Sequence, residues 1–168
     1  MSPDLYWIPG PWRGRLAVAA RPRGGDWLED EAVRWKRAGL DVIVSLLETE
    51  EAVQLDLDRE KDLAESNGLR FISFPIPDRG VPESTQDALR LLADIRKALN
   101  KGDNVAVHCR QGVGRSGMIA AGTLVASGSE PEKAIEIVST ARRQVVPETA
   151  PQLRWIQQLP FEHPVVVP

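Results

Sequence analysis

Residues 104–117 read NVAVHCRQGVGRSG, and the fold follows from them. Asn104 to His108 is a short apolar run suited to a buried strand. Cys109 stands at its C-terminal end, five residues follow, and Arg115 opens a helix of small residues running to about Ala126. Backbone N–H groups at a helix N-terminus have no intrahelical partner and attract anions. Gly112 and Gly114 let the connecting loop curl without a Cβ in the way. The segment therefore predicts a strand–loop–helix anion cradle built from Arg110, Gln111, Gly112, Val113, Gly114 and Arg115.

The same positive field favours thiolate over thiol at Cys109 and makes it a nucleophile. Arg115 carries a planar fork that grips two oxygens of a tetrahedral anion at once, which a lysine does not. Ser116 is placed to donate a hydrogen bond to the sulfur, and His108 to orient the loop through its ring N–H groups. Taken alone, a single cysteine is most often a small buried apolar residue; the flanking strand, glycines and helix start overturn that reading. Cys109 is the only cysteine, so it has no partner for an internal disulfide. Its reversible oxidation would run through a sulfenamide or an external thiol.

Outward from this segment, strands and helices alternate. A strand is expected over Arg15–Ala20 and a helix over Trp27–Ala38, capped by Asp26 and stopped by Gly39. Asp41–Leu47 (DVIVSLL) reads as a second buried strand. One helix from Thr49 to about Ser66 follows, closed by Asn67-Gly68. Arg70–Ile76 is the next strand. A long helix covers Ser84–Asn100, with Ala88, Leu91, Leu92, Ile95 and Leu99 on one face. Glu130–Arg143 and Thr149–Leu159 complete the helices. The expected fold is α/β, a single domain over residues 1–168 with a central, mainly parallel sheet flanked by helices. In such sheets ligands bind beyond the carboxyl ends of the strands. Asp78, in Pro75-Ile76-Pro77-Asp78-Arg79-Gly80, lies past one such end and Cys109 past another, so two segments are expected to converge on one crevice.

Composition agrees with one globular domain: 168 residues, 42% hydrophobic and 27% charged. A net charge of −3 supplies no excess of positive charge for nucleic acid or an anionic membrane. No apolar run approaches the ~18 residues of a membrane span, and Met1–Pro11 lacks the regions of a signal peptide, so a cytoplasmic monomer is expected. One cysteine and two histidines leave little material for zinc. The five tryptophans, Trp7, Trp12, Trp27, Trp35 and Trp155, read as packing residues.

The pattern His108-Cys109-x5-Arg115-Ser116, with Gly112, Gly114 and Gly117, resembles the signature of the cysteine-dependent protein tyrosine phosphatase superfamily. The resemblance spans about residues 15–159. Chain length and the placing of Asp78, roughly thirty residues before Cys109, are similar to its compact dual-specificity branch. The resemblance implies a cofactor-free, metal-free reaction in two steps. Cys109 forms a phosphocysteine, Asp78 protonates the leaving oxygen, and water hydrolyses the intermediate. Arg142-Arg-x-x-Val-Pro-Glu-Thr-x-x-Gln152 is similar to a segment of the kinase-associated and Cdc14-like groups, which makes Gln152 the candidate to orient that water. Aspartates at 87 and 103 are rivals of Asp78 that read better as surface residues.

The implied substrate is a phosphorylated protein or peptide carrying phosphotyrosine, with phosphoserine and phosphothreonine as further candidates. Arg110 and Gln111 stand where lipid phosphatases of this superfamily carry lysines, which ranks phosphoinositides, inositol phosphates and RNA 5′ ends lower. Arg79, Arg142 and Arg143 are candidates for a basic rim. A phosphate-binding module without turnover and a rhodanese-type sulfurtransferase remain open as other classes.

Overall fold

The computed structural model describes residues 4–160. Five strands form one sheet: β1 (Tyr6–Ile8), β2 (Leu16–Ala19), β3 (Val42–Ser45), β4 (Arg70–Ser73) and β5 (Val105–His108). Seven α-helices accompany them: α1 (Leu28–Arg37), α2 (Thr49–Gln54), α3 (Glu60–Ser66), α4 (Thr85–Lys101), α5 (Arg115–Ala126), α6 (Pro131–Arg142) and α7 (Ala150–Gln157). The strand order is β1-β2-β5-β3-β4, with β1 antiparallel to β2 and the other pairs parallel. The mainly parallel α/β domain expected from the sequence is the fold observed.

Alternation along the strands divides the core in two. Leu16, Val18, Val42, Val44, Val105 and Val107 point to one face, where they pack with the apolar residues of α4, α5, α6 and α7. Ala17, Ile43 and Ala106 point to the other and meet Trp35 of α1 and Ala64 of α3. The central element is α5, buried from Arg115 to Val125. Its small residues permit this close approach: a Cβ on Gly117 would lie 3.0 Å from the Val146 side chain.

Three local expectations change. The helix anticipated over residues 49–66 is two helices, broken between Gln54 and Glu60. The break is a Schellman stop: Asp56 takes φ of 57°, its N–H donates to Val53 O at 3.1 Å, and Leu57 N–H donates to Ala52 O at 2.8 Å. Leu57 buries itself against Leu28 and Leu47 as the turn closes. Asp26 does not cap α1; it lies in a 3-10 turn, Gly25–Trp27, and the helix begins at Leu28 with no side-chain cap. Strand β1 was not anticipated. Of the tryptophans, Trp12, Trp35 and Trp155 are buried, whereas Trp27 is 55% exposed and carries the Arg23 guanidinium 4.5 Å above its ring.

Candidate active site

Strand β5 delivers His108 and Cys109 to the carboxyl end of the sheet, between β2 and β3. The loop after Cys109 turns back tightly enough that only glycine fits at position 112. Its φ is 74°, and a Cβ there would lie 2.8 Å from the backbone of Ala19 and Ala20. Arg142 holds the loop's carbonyls away from the cradle. Its Nε donates to Gly112 O at 2.8 Å and its Nη2 to Gln111 O at 3.2 Å, while the guanidinium stacks 4.1 Å over Tyr6. Arg142, expected on a basic rim, is a brace behind the loop.

Cys109 is 3% exposed, and its Sγ lies 3.2 Å from Ser116 Oγ. Burial disfavours a thiolate. Hydrogen bonds from Ser116 Oγ and from the Ser116 and Gly112 backbones, together with the Arg115 charge, outweigh it and hold the thiol pKa below its ordinary value.

Arg115 is the largest fully buried side chain among the described residues. Its Nη1 donates to Glu51 Oε1 at 2.8 Å and to Ile76 O at 2.9 Å, and its Nη2 donates to Glu51 Oε2 at 2.8 Å. Glu51 thus occupies the end of the guanidinium and leaves the Nε–H and the second Nη2–H as the edge available to an anion. Asp78 Oδ1 sits 3.3 Å from Nη2, the Asp78 side chain being 55% exposed. Hydrogen bonding to Arg115 is the leading cause that lowers the Glu51 pKa, against the opposing effect of burial.

A cavity of about 210 Å³ joins these groups. Asp78, Arg79, Cys109, Arg110, Gln111, Gly114, Arg115 and Glu148 line it. The segment carrying Asp78 is tied to the turn before α7. Arg79 Nη1 donates to Glu148 Oε1 at 2.7 Å, Thr149 Oγ1 donates to Arg79 O at 3.3 Å, and Gln152 Nε2 donates to Gly80 O at 3.0 Å. Gln152 is fully buried, and its Oε1 accepts from the N–H groups of Glu148 and Thr149, each at 3.2 Å. Its amide therefore clips the Asp78 segment to α7, and a Cβ on Gly114 would lie 3.0 Å from its Oε1. Arg143 is exposed and ends α6 with φ of 62°; it does not line the cavity.

Of the residues picked from the sequence, Cys109, Arg115, Asp78 and the loop residues Arg110, Gln111 and Gly114 share one cavity, with Ser116 on the sulfur and Gln152 behind the loop. His108 is buried beneath it. Glu51, Glu148 and the bracing use of Arg142 were not read from the sequence. Glu51 had a signal: a carboxylate just past the end of β3, on the side of the sheet where a buried arginine would need a counter-charge.

Residues 18–129 match the family described as "Polymorphic toxin system, DSP-PTPase phosphatase". Protein tyrosine phosphatase type IVA 3 of Bos taurus is 30% identical over 101 residues, which are 59% of this chain and 57% of that protein. The chain spans about half the length, or less, of the curated relatives it matches. Among solved structures, kinase associated phosphatase with its catalytic-site cysteine changed to serine superposes with a TM-score of 0.85 at 19% identity, covering 94% of each chain. Tk-PTP in its active form superposes with a TM-score of 0.76 at 29% identity, covering 94% of this chain and 97% of that one. Among the described residues no helix is long and apolar enough to cross a membrane.

Proposed function

The chain belongs to the DSP-PTPase phosphatase family, within the cysteine-dependent protein tyrosine phosphatase superfamily, and from that premise we propose that it hydrolyses phosphate monoesters on proteins through a phosphocysteine. One observation carries the reading: the Cys109 sulfur, hydrogen-bonded to Ser116, shares a single cavity with the Arg115 guanidinium and the Asp78 carboxyl group.

In the first step the phosphoryl group enters the loop, and its oxygens take the loop N–H groups and the free edge of Arg115. An incoming oxygen replaces Asp78 beside Nη2, which turns the aspartate toward the ester oxygen. The Cys109 thiolate attacks phosphorus, an S–P bond forms, and the P–O bond to the carrier breaks. Asp78, entering protonated, gives its proton to the departing oxygen. In the second step water attacks phosphorus, Asp78 takes a proton from it, and the S–P bond breaks. Ser116 Oγ–H stabilises the returning thiolate. Gln152 positions the segment carrying Asp78 through its bond to Gly80 O, and to direct the attacking water its buried amide would have to turn toward the cavity.

The rim favours a monoester on a protein over a polyphosphorylated ligand. Glu148 and Asp78 stand beside Arg79 and Arg110 at the cavity, and the adjoining groove is lined by Glu48, Glu50 and Gln54. A second phosphate next to the reacting one would meet carboxylates, and no lysine lines either space. The test compares a small aryl phosphate, phosphotyrosine, phosphoserine and phosphothreonine peptides, and phosphoinositides, with the Cys109→Ser variant as control. Peptide turnover above phosphoinositide turnover is expected. Activity retained in Cys109→Ser would remove the nucleophile from the scheme, and preference for a polyphosphorylated ligand would reverse the substrate ranking.

A further inference from the structure

Strand alternation gives His108 a surrounding that the loop motif does not specify. His108 follows Ala106 on the face of β5 turned toward α1 and α3, opposite the face that packs on α5. There it is 1% exposed, its ring stacked on Trp35 with centroids 6.1 Å apart. Nδ1 lies 3.2 Å from the Cys109 carbonyl oxygen, and Nε2 lies 2.5 Å from Oε2 of Glu60, itself 3% exposed. The Cys109 carbonyl accepts, and a carboxylate at Glu60 accepts as well, so a ring carrying a hydrogen on each nitrogen satisfies both contacts.

We propose that Glu60 is a positioning residue for the nucleophile: it holds His108 as a buried imidazolium whose Nδ1 edge is fastened to the backbone of Cys109. The carboxylate sits at the far edge of the ring and the positive charge between it and the cysteine. The pair therefore acts on the sulfur as a dipole with its positive end forward, from the side of the sheet opposite Arg115. Among the described residues, the other neighbours in register or stacked with the ring carry no charge. β2 brings Ala19 and β3 brings Ser45 into register with it, α1 brings Trp35, and Cys109 is the remaining titratable neighbour. The direction of the His108 pKa agrees. Burial opposes the charged ring, but the Glu60 charge and hydrogen bond, the Cys109 carbonyl and the Cys109 charge raise it above its ordinary value.

The proposal rests on Cys109 being the nucleophile, and its test reads protonation rather than turnover, so its failure is distinguishable from failure of the phosphatase reading. Cys109 is the chain's only thiol, so thiolate absorbance and alkylation rate against pH report it alone. In Glu60→Gln the midpoint of that titration is expected to rise by about one unit, the acid limb of kcat/KM moving with it. An unshifted midpoint in a folded Glu60→Gln protein overturns the proposal. The wild-type protein supplies a measurement that needs no variant. The ring nitrogens of His108, distinguished by NMR from the only other histidine, His163, should both carry protons at neutral pH. A neutral ring there overturns the proposal whether or not the variant folds.

Discussion

Glu51 holds Arg115 with both carboxylate oxygens, each 2.8 Å from a guanidinium nitrogen, and so decides which edge of that guanidinium remains for a ligand. The carboxylate comes from α2, just beyond β3, and the arginine from the first turn of α5. Two crossover units of the sheet are locked together beside the Cys109 cavity. Removing one partner of a buried pair leaves an uncompensated charge. Glu51→Gln is expected to lower stability by about 3 kcal/mol, read from the urea midpoint. Misorientation of Arg115 should lower kcat/KM roughly a hundredfold. A variant as stable as wild type would show that the pair carries no such weight.

Ser116→Ala removes the hydroxyl 3.2 Å from the sulfur. A hydrogen bond to a charged group contributes about 1.5–3 kcal/mol. The Cys109 pKa should rise by about one unit or more, carrying the acid limb of kcat/KM upward. The sulfur also becomes a poorer leaving group, so kcat should fall further than kcat/KM, with a burst of aryl alcohol release. A fall confined to KM would argue against this role.

Asp78→Asn removes the proposed proton donor. The loss should reach about a hundredfold or more on alkyl phosphates and be much smaller on aryl phosphates with good leaving groups. An equal loss on both classes would exclude Asp78 as the acid.

Gln152→Ala strips partners from the N–H groups of Glu148 and Thr149 and from Gly80 O. Stability should fall by about 1–3 kcal/mol, as for other buried groups left unpaired. Turnover should fall with slower hydrolysis of the phosphocysteine, visible as intermediate trapped during rapid quench. Wild-type breakdown of the intermediate would reduce Gln152 to the clip alone.

Stability should respond to pH in opposite senses at two sites. The Glu51 pKa is lowered in the fold, so its contribution is present above the unfolded value and lost as pH falls through the folded one. The His108 pKa is raised, so its contribution is complete below about 6.5 and lost as pH rises through the folded value. Cys109, with its pKa lowered, gains stability as pH rises and masks that loss. In Cys109→Ser the decline of melting temperature above about pH 6.5 should therefore emerge, and adding Glu60→Gln should abolish it. A flat profile in the single variant would contradict the assignment.

What was legible in the sequence followed from local chemistry. Gly39, Gly68 and Gly102 marked helix ends because the left-handed turn each adopts is open to glycine at no steric cost. The same turn after α2 uses Asp56, where no glycine signals it, so the sequence pattern runs on as one helix. The loop from Cys109 to Arg115 was legible because its residues act within one turn of chain. Glu51, Glu60 and Arg142 were not, since each meets its partner across 64, 48 and about 30 positions, distances that only the packed sheet closes. Strand β1, three residues long, is too short for alternation to register.

The parity of β5 has a consequence for how this site tolerates insertions and deletions. Adding or deleting one residue between Val105 and His108 would exchange the two faces, turning the imidazole toward α5 and the neighbouring valine toward Glu60. Cys109 would still follow a strand and keep its loop, but the proposed ionic backing from Glu60 and His108 would be gone. The turn between Gln54 and Glu60 answers to no such parity, so length variants there should cost far less than any in the strand.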